Sequence, residues 1–307
     1  MNSQRTFSPP FLNFGSWNAG GLYIEPNARI SSRRATKMNF LRSLLKDQSV
    51  FGIEEAHVRK STRKRFSTEI RRSGFDSYVM TTRNNRLGCA ILVRCGFLSS
   101  YSVEHHVIVR HHAHALIIRD RFSGEVLAVW VHVYLPASGS SAATEEAGGG
   151  SAETRRRRVI GVIAQWLPSL VLPASAFVLL WGDFNMTLGG HERWQRGADA
   201  QHSPWEAQDI SARALITTIL SPYGLVEFVQ HDPTCIGRHG RCATRPDKAF
   251  LRMAGAEALV LSTSASLLGS PPLSMNRQGQ MRPCSDHLPV GYRISPPAQQ
   301  RSHRVPD

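Results

Sequence analysis

The chain has 307 residues, 41% hydrophobic and 20% charged, enough to bury a substantial core and ordinary for a globular protein. Its 37 Lys and Arg stand against 23 Asp and Glu, a formal net charge of +14, so the surface favours a polyanion, nucleic acid or an anionic membrane, over a neutral partner. Cys89, Cys95, Cys235, Cys242 and Cys284 are odd in number and include no CxxC, which argues against a disulfide scaffold and for a reducing compartment; no run reaches the ~18 apolar residues of a membrane span.

In chain order, residues 1–10 read as a flexible N-terminus without the apolar core of a secretory signal. Residues 11–22, FLNFGSWNAGGL, predict a strand leaving into a Gly-rich turn. Residues 27–47 predict a helix with Met38, Leu41, Leu44 and Leu45 on one stripe. VFGIEEAH at 50–57 is a short strand ending in polar groups, and 61–73 a basic helix stopped by Gly74. LGCAILVR at 87–94 is a strand, and 114–136 reads as two strands about a turn near Ser123 and Gly124. Residues 137–153 are small and polar, the composition of a mobile loop. A helix follows at 154–167 with a basic first turn, and another lies within 205–220. Residues 297–307 read as a disordered tail. There is no repeat, and the irregular alternation of strands with fewer helices predicts one α/β domain, 11–296, built on a mixed sheet or sheets.

The stretch Val178–Leu188, VLLWGDFNMTL, is the most informative. Its apolar half has the length and composition of a buried strand, and it ends abruptly in Asp183, Phe184 and Asn185. If the chain stays extended, Asp183 and Asn185 share a face and Phe184 turns into the core. A carboxylate and an amide at the end of a buried strand are costly unless a cap, turn, cation or phosphate satisfies them. Asn18, Glu55 and the pair Asp286–His287 stand at other predicted strand ends. Oxygen donors of this kind suit a hard divalent cation.

The ordered blocks WNAGGL, IEEAH, VYLP, GDFN, RPDKAF and SDHLP resemble the endonuclease/exonuclease/phosphatase (DNase-I-like) family over about Phe11 to Ile294. In style they are closest to apurinic/apyrimidinic and non-LTR retrotransposon endonucleases. The resemblance implies a four-layer α/β-β/α sandwich, with two mixed β-sheets face to face and helices outside. It also implies hydrolysis of a phosphodiester with Mg²⁺, or Mn²⁺ in its place. Glu55 would bind the metal, with Asn18 completing that side and Asp286 nearby. Tyr134 would hydrogen-bond the scissile phosphate, and Asp183 would orient or deprotonate the attacking water. Asn185 would hold a phosphate oxygen. His287 would contact the phosphate, its tautomer fixed by Asp247. Arg238, Arg241 and Arg245 would meet substrate phosphates.

The chain departs from the family pattern in three places. Glu54 stands where Gln is usual, Ala56 replaces Thr, and Pro246 replaces an apolar residue before Asp247. Proline removes a backbone donor and fixes φ, which bears on where Asp247 sits. The histidines of EHHVIVRHHAHA, with His112 and His114 on one expected strand face, lack an acid or Cys at ligand spacing, and Cys235, His239 and Cys242 lack a fourth ligand; neither makes a zinc site by spacing. The basic runs 63–65, 71–72 and 155–158 read as solvated helix faces that add nonspecific affinity for nucleic acid.

The expected activity is a metal-dependent DNA endonuclease, monomeric, with DNA preferred to RNA. It would be intracellular, the nucleus being one compartment that fits. Two alternatives stand beside it: an inositol-phosphate or lipid phosphatase of the same fold, and a nucleic-acid-binding module without catalysis.

Overall fold

The computed structural model describes residues 12–23, 28–82, 87–137, 151–188, 193–195, 207–228, 230–236, 242–252, 262–275, 281–283 and 285–295. Residues 1–10, most of the 137–153 segment and the 297–307 tail lie outside the described residues. The first half of the chain runs β1 (Leu12–Asn18), α1 (Ala28–Leu44), a 3-10 turn (Leu45–Asp47), β2 (Val50–Glu54), α2 (Arg63–Arg72), β3 (Phe75–Val79) and β4 (Ala90–Arg94). It continues through β5 (Tyr101–Val109), β6 (Ala113–Asp120), β7 (Val126–Tyr134), α3 (Ala152–Ser169), β8 (Phe177–Asp183), β9 (Arg193–Gln195) and α4 (Ala207–Tyr223). The remainder is β10 (Val226–Glu227), β11 (Cys235–Ile236), β12 (Cys242–Thr244), β13 (Asp247–Arg252), β14 (Ser262–Leu267), β15 (Leu273–Met275), β16 (Met281–Pro283) and β17 (Val290–Ser295).

Two six-stranded sheets form, in the orders β14-β17-β1-β2-β4-β3 and β10-β13-β8-β7-β6-β5. Each is mixed: β1 runs parallel to β2 and β7 parallel to β8, while the other pairs are antiparallel. Phe14, Trp130, Trp181 and Tyr292 fill the space between the sheets with the aliphatic residues around them. The outer face of the first sheet packs on Met38, Leu41, Phe66 and Ile70 of α1 and α2. The outer face of the second packs on Val159, Ile163, Ile216 and Ile219 of α3 and α4. The result is the expected four-layer sandwich with helices outside.

A strand covered on both faces reads as a continuous apolar run, and β7 and β8 are buried at every position. Edge strand β5 alternates instead, and sequence reading passed over it and β3. The helix expected at 154–167 starts earlier, because the Ser151 side chain accepts the Thr154 N–H at 3.2 Å and caps it. Among the described residues, no helix is long and apolar enough to cross a membrane.

Register gathers the polar strand ends. Parallel pairing sets Asn18 beside Glu54 and Tyr134 beside Asp183. Antiparallel pairing sets Asp247 beside Asp183, so β13 starts where β8 ends.

A file of polar groups runs through the apolar interior. Glu54 Oε1 meets His132 Nε2 at 2.6 Å, His132 Nδ1 meets His114 Nε2 at 3.2 Å, and His114 Nδ1 meets His105 Nε2 at 3.0 Å. Burial pushes His114 well below the usual imidazole range and His105 down to about 4, so both are neutral at neutral pH. His112, expected on one face with His114, precedes β6 and bonds the Tyr134 carbonyl at 2.9 Å.

The file fits because Gly52 leaves room: a Cβ there would stand 2.3 Å from His132 Nε2 and 2.9 Å from Trp181 Nε1. Gly52→Ala is therefore expected to cost about 1–3 kcal/mol through overpacking. The denaturant midpoint checks this; an unshifted midpoint would mean His132 does not occupy that space.

Candidate active site

At the exit of β1 the chain turns, and the Gly20 N–H bonds Asn18 Oδ1 at 3.1 Å. With its oxygen held, the amide nitrogen of Asn18 faces the site, 2.9 Å from Asp183 Oδ2 and 3.5 Å from Glu55 Oε1. The Ser285 hydroxyl donates to the Asn18 carbonyl at 2.6 Å and accepts the His287 N–H at 3.1 Å, tying β1 to the segment before β17.

At the exit of β2 the two adjacent glutamates part. Glu54 points between the sheets to His132 and is fully buried. Glu55 turns the other way with a left-handed φ of 49°. Its carboxylate accepts from the Tyr134 hydroxyl at 2.6 Å and lies 3.7 Å from His57 Nε2, with 27% of the side chain exposed. The carboxyl beside Glu55 in the chain is thus buried away from solvent.

At the exit of β8, Asp183 is completely buried. It accepts from Asn18, from the Asn185 N–H at 2.8 Å and from Asn185 Nδ2 at 3.0 Å. Asp183 and Asn185 do face each other, but not because the strand continues: Asn185 has φ 48° and the chain has already turned. Phe184 packs edge-on against Phe250, as the alternation required. Asn185 Nδ2 also donates to the Leu135 carbonyl at 2.8 Å. Both amide hydrogens of Asn185 are therefore engaged, and the side chain holds Asp183.

Pro246 does not displace Asp247. The Pro246 carbonyl accepts the Phe184 N–H at 3.0 Å, and Asp247 N–H reaches Thr234 Oγ1 at 3.3 Å. Asp247 Oδ2 lies 3.2 Å from His287 Nδ1, and His287 Nε2 lies 3.9 Å from Asp183 Oδ2.

The charges follow from this packing. Burial pushes the Asp183 carboxyl up to about 7; His287 and Asn18 oppose the shift, while Asp247 and Glu54 add to it. Burial works against an imidazolium at His287, but the carboxylates of Asp183 and Asp247 outweigh it and hold its pKa well above the usual value. Burial also works against the Glu55 carboxylate, but His57, Tyr134 and His287 bring its pKa down to about 2. Burial and the Glu55 and Asp183 charges keep the Tyr134 hydroxyl protonated.

The structure therefore brings Asn18, Glu55, Tyr134, Asp183, Asn185, Asp247 and His287 to one place. Asp286 is exposed, with its carbonyl bonded to the Ile236 N–H. Arg245 is buried, its guanidinium bonded to the Gln230 carbonyl and to Glu227 at 3.0 Å, so it braces β10 rather than opening toward a phosphate. Arg238 and Arg241 lie outside the described residues. Sequence reading missed His57 and Arg156. Arg156 bonds the Pro136 carbonyl at 2.8 Å; burial lowers its pKa, and the Asp183 charge opposes that shift. His57 closes the quoted IEEAH block and was legible there; nothing in the sequence marks Arg156 among its basic neighbours.

Two groupings have donors suited to a divalent cation. Asp183, Asp247 and His287 present ligand atoms within 4.8 Å of one another, and Asp247 Oδ1 is buried without a hydrogen-bond partner among the described residues. Glu55 offers a partly exposed carboxylate that stays ionised, with the oxygen-rich surroundings a hard cation takes.

A raised acid pKa has a testable sign. With its proton held up to about 7 in the folded state against about 3.9 unfolded, Asp183 contributes stability at low pH that is lost as pH rises through that window. In EDTA, wild type should lose thermal stability relative to Asp183→Asn between about pH 5 and pH 8. A difference constant with pH would show that Asp183 titrates normally.

No protein-family model matches the chain. No curated protein matches it by sequence. Solved structures do match. AP endonuclease LMAP from Leishmania major superposes with a TM-score of 0.62 at 12% identity, covering 93% of this chain and 88% of that one. D. rerio TDP2, complexed with single strand DNA product, gives 0.56 at 15% identity, over 94% of this chain and 100% of its own. An endonuclease/exonuclease/phosphatase family protein from Bacteroides thetaiotaomicron gives 0.55 at 12% identity, over 94% and 98%. At such identities the likeness is one of backbone topology, and on that ground the chain has the DNase-I-like endonuclease/exonuclease/phosphatase fold.

Proposed function

We propose that the protein is a divalent-metal-dependent phosphodiesterase that cleaves nucleic acid, and specifically a DNA endonuclease. The observation that carries this reading is the buried Asp183–Asp247–His287 group beside Glu55, Tyr134 and Asn18. A net charge of +14 supports a polyanionic substrate. Likeness to proteins described as an AP endonuclease and as TDP2 with a single strand DNA product supports DNA.

Each residue has work suited to phosphodiester hydrolysis. Asp183, with its raised pKa, can align a water and take its proton. Asn18 and Asn185 keep that carboxylate aimed. His287, oriented by Asp247, presents Nε2 to the charge that builds on the phosphoryl oxygens. Tyr134 stays a donor, bonded to Glu55 until a phosphate oxygen competes for it. Glu55, with Asp183 and Asp247 nearby, would hold Mg²⁺ or Mn²⁺, which supplies Lewis-acid stabilisation of the phosphoryl group.

Nicking of supercoiled plasmid tests the proposal. Wild type should nick with Mg²⁺ and not with EDTA, and Glu55→Ala and His287→Ala should each lose about 10²-fold or more. Equal nicking by both variants would trace the activity to a contaminant. A folded wild type that nicks nothing would reject the endonuclease and leave inositol phosphates, or binding without catalysis, as the function of this site.

A further inference from the structure

We propose that Lys37 is a positioning residue for the site through Asn18; this rests on Asn18 belonging to the catalytic centre as read above. Lys37 lies on α1 and has no exposed surface. A buried ammonium must be hydrogen-bonded to be tolerated. Its Nζ bonds three consecutive carbonyls of the turn after β1: Ala19 O, Gly20 O at 2.8 Å and Gly21 O at 3.3 Å. Three carbonyls converge on one point only because the backbone winds left-handed at Gly20 and Gly21, φ 51° and 87°. Glycine takes that conformation at little cost.

The amides of the same turn are committed elsewhere. Ala19 N–H bonds the Glu54 carbonyl at 3.1 Å, and Gly21 N–H bonds the Glu55 carbonyl at 3.0 Å. Leu22 N–H reaches the Glu55 carbonyl at 3.4 Å, and Gly20 N–H bonds Asn18 Oδ1 at 3.1 Å. The turn is thus clamped between Lys37 on its carbonyl side and the exit of β2 on its amide side. What the clamp fixes is chemical. Gly20 N–H holds the oxygen of Asn18, which leaves its amide nitrogen aimed at Asp183 and Glu55. Without the ammonium the three carbonyls lose their shared donor, the turn is held on its amide side alone, and the Asn18 amide is less firmly oriented.

Lys37→Met keeps the stem and removes the ammonium. It should lower kcat for DNA nicking about 10- to 100-fold, as misplacement of a catalytic group does, with KM little changed. In an Asn18→Ala background the same substitution should cost almost nothing more, because contacting residues couple in a double-mutant cycle. Losses that multiply independently would show that Lys37 acts on general stability and would overturn the proposal. Lys37→Gln, which retains N–H donors, should recover part of kcat and replaces Lys37→Met if that variant does not fold. A readout without catalysis keeps this test apart from the nuclease reading. In wild type the Asn18 side-chain amide protons should exchange slowly with solvent by NMR, and faster in the Lys37 variants. Exchange as fast in wild type as for an exposed Asn overturns the clamp, whatever the plasmid assay gives.

Discussion

Asp183 has no surface in contact with solvent and stands where β7, β8 and β13 meet at their ends. A carboxylate in that position is stable only if its surroundings replace the water it has lost. Three donors from Asn18 and Asn185 and the imidazole of His287 do part of this, and the pKa raised to about 7 is what burial leaves over. Each of them sits at the end of an element whose register is fixed by the sandwich. Slipping β1 against β2, or β8 against β13, by one residue would turn its side chains to the opposite face. The site is therefore a consequence of sheet register, and the two parallel pairs matter most because parallel strands bring like ends together.

The frame also holds backbone conformations that a free chain avoids. Glu55 and His57 both have positive φ, a state costing non-glycine residues about 1–3 kcal/mol. Asn185 has it too, at less cost, because Asn tolerates the left-handed region. At Glu55 the reversal separates two adjacent carboxylates onto opposite sides of the sheet. One reaches the site and the other the polar file, whose members bond one another inside the sandwich. Hydrogen-bond accounting explains why such a file persists in an apolar interior: removing any member leaves its neighbour with an unmet donor or acceptor.

Much of this was legible in the sequence, and for physical reasons. β7 and β8 announce themselves as apolar runs because they are buried on both faces, and GDFN marks where such a run meets polar chemistry. The fold followed from six short blocks in order. Side-chain partnerships were harder to read. Glu54 stands next to Glu55 in the chain, yet only a backbone reversal decides that they part. Arg245 reads as a phosphate ligand from its neighbourhood, but its bond to Glu227 depends on the antiparallel pairing of β10 with β13. Of the histidines of EHHVIVRHHAHA, His105 on β5 and His114 on β6 meet only across strands, and the file continues to His132 on β7, outside that stretch. β5 was missed because its half-exposed alternation carries little apolar signal.

Lys37 shows the same limit from another side. In sequence it is one cation in a basic helix, where solvation is the ordinary outcome. In the structure its charge is spent inside, on carbonyls that no strand or helix could satisfy. A tight left-handed turn turns its carbonyls to one side, and in this one Ala19 and Gly21 are buried and Gly20 is half-buried, so those carbonyls need a donor from the protein. A cation on a long flexible stem is one of the few side chains that can meet three at once. The site thus depends on two charges hidden from solvent, Asp183 on the acidic side and Lys37 on the basic side, joined through the Asn18 amide. Either charge alone would be a liability in the core; linked through one short turn, each gives the other's surroundings a reason to stay ordered.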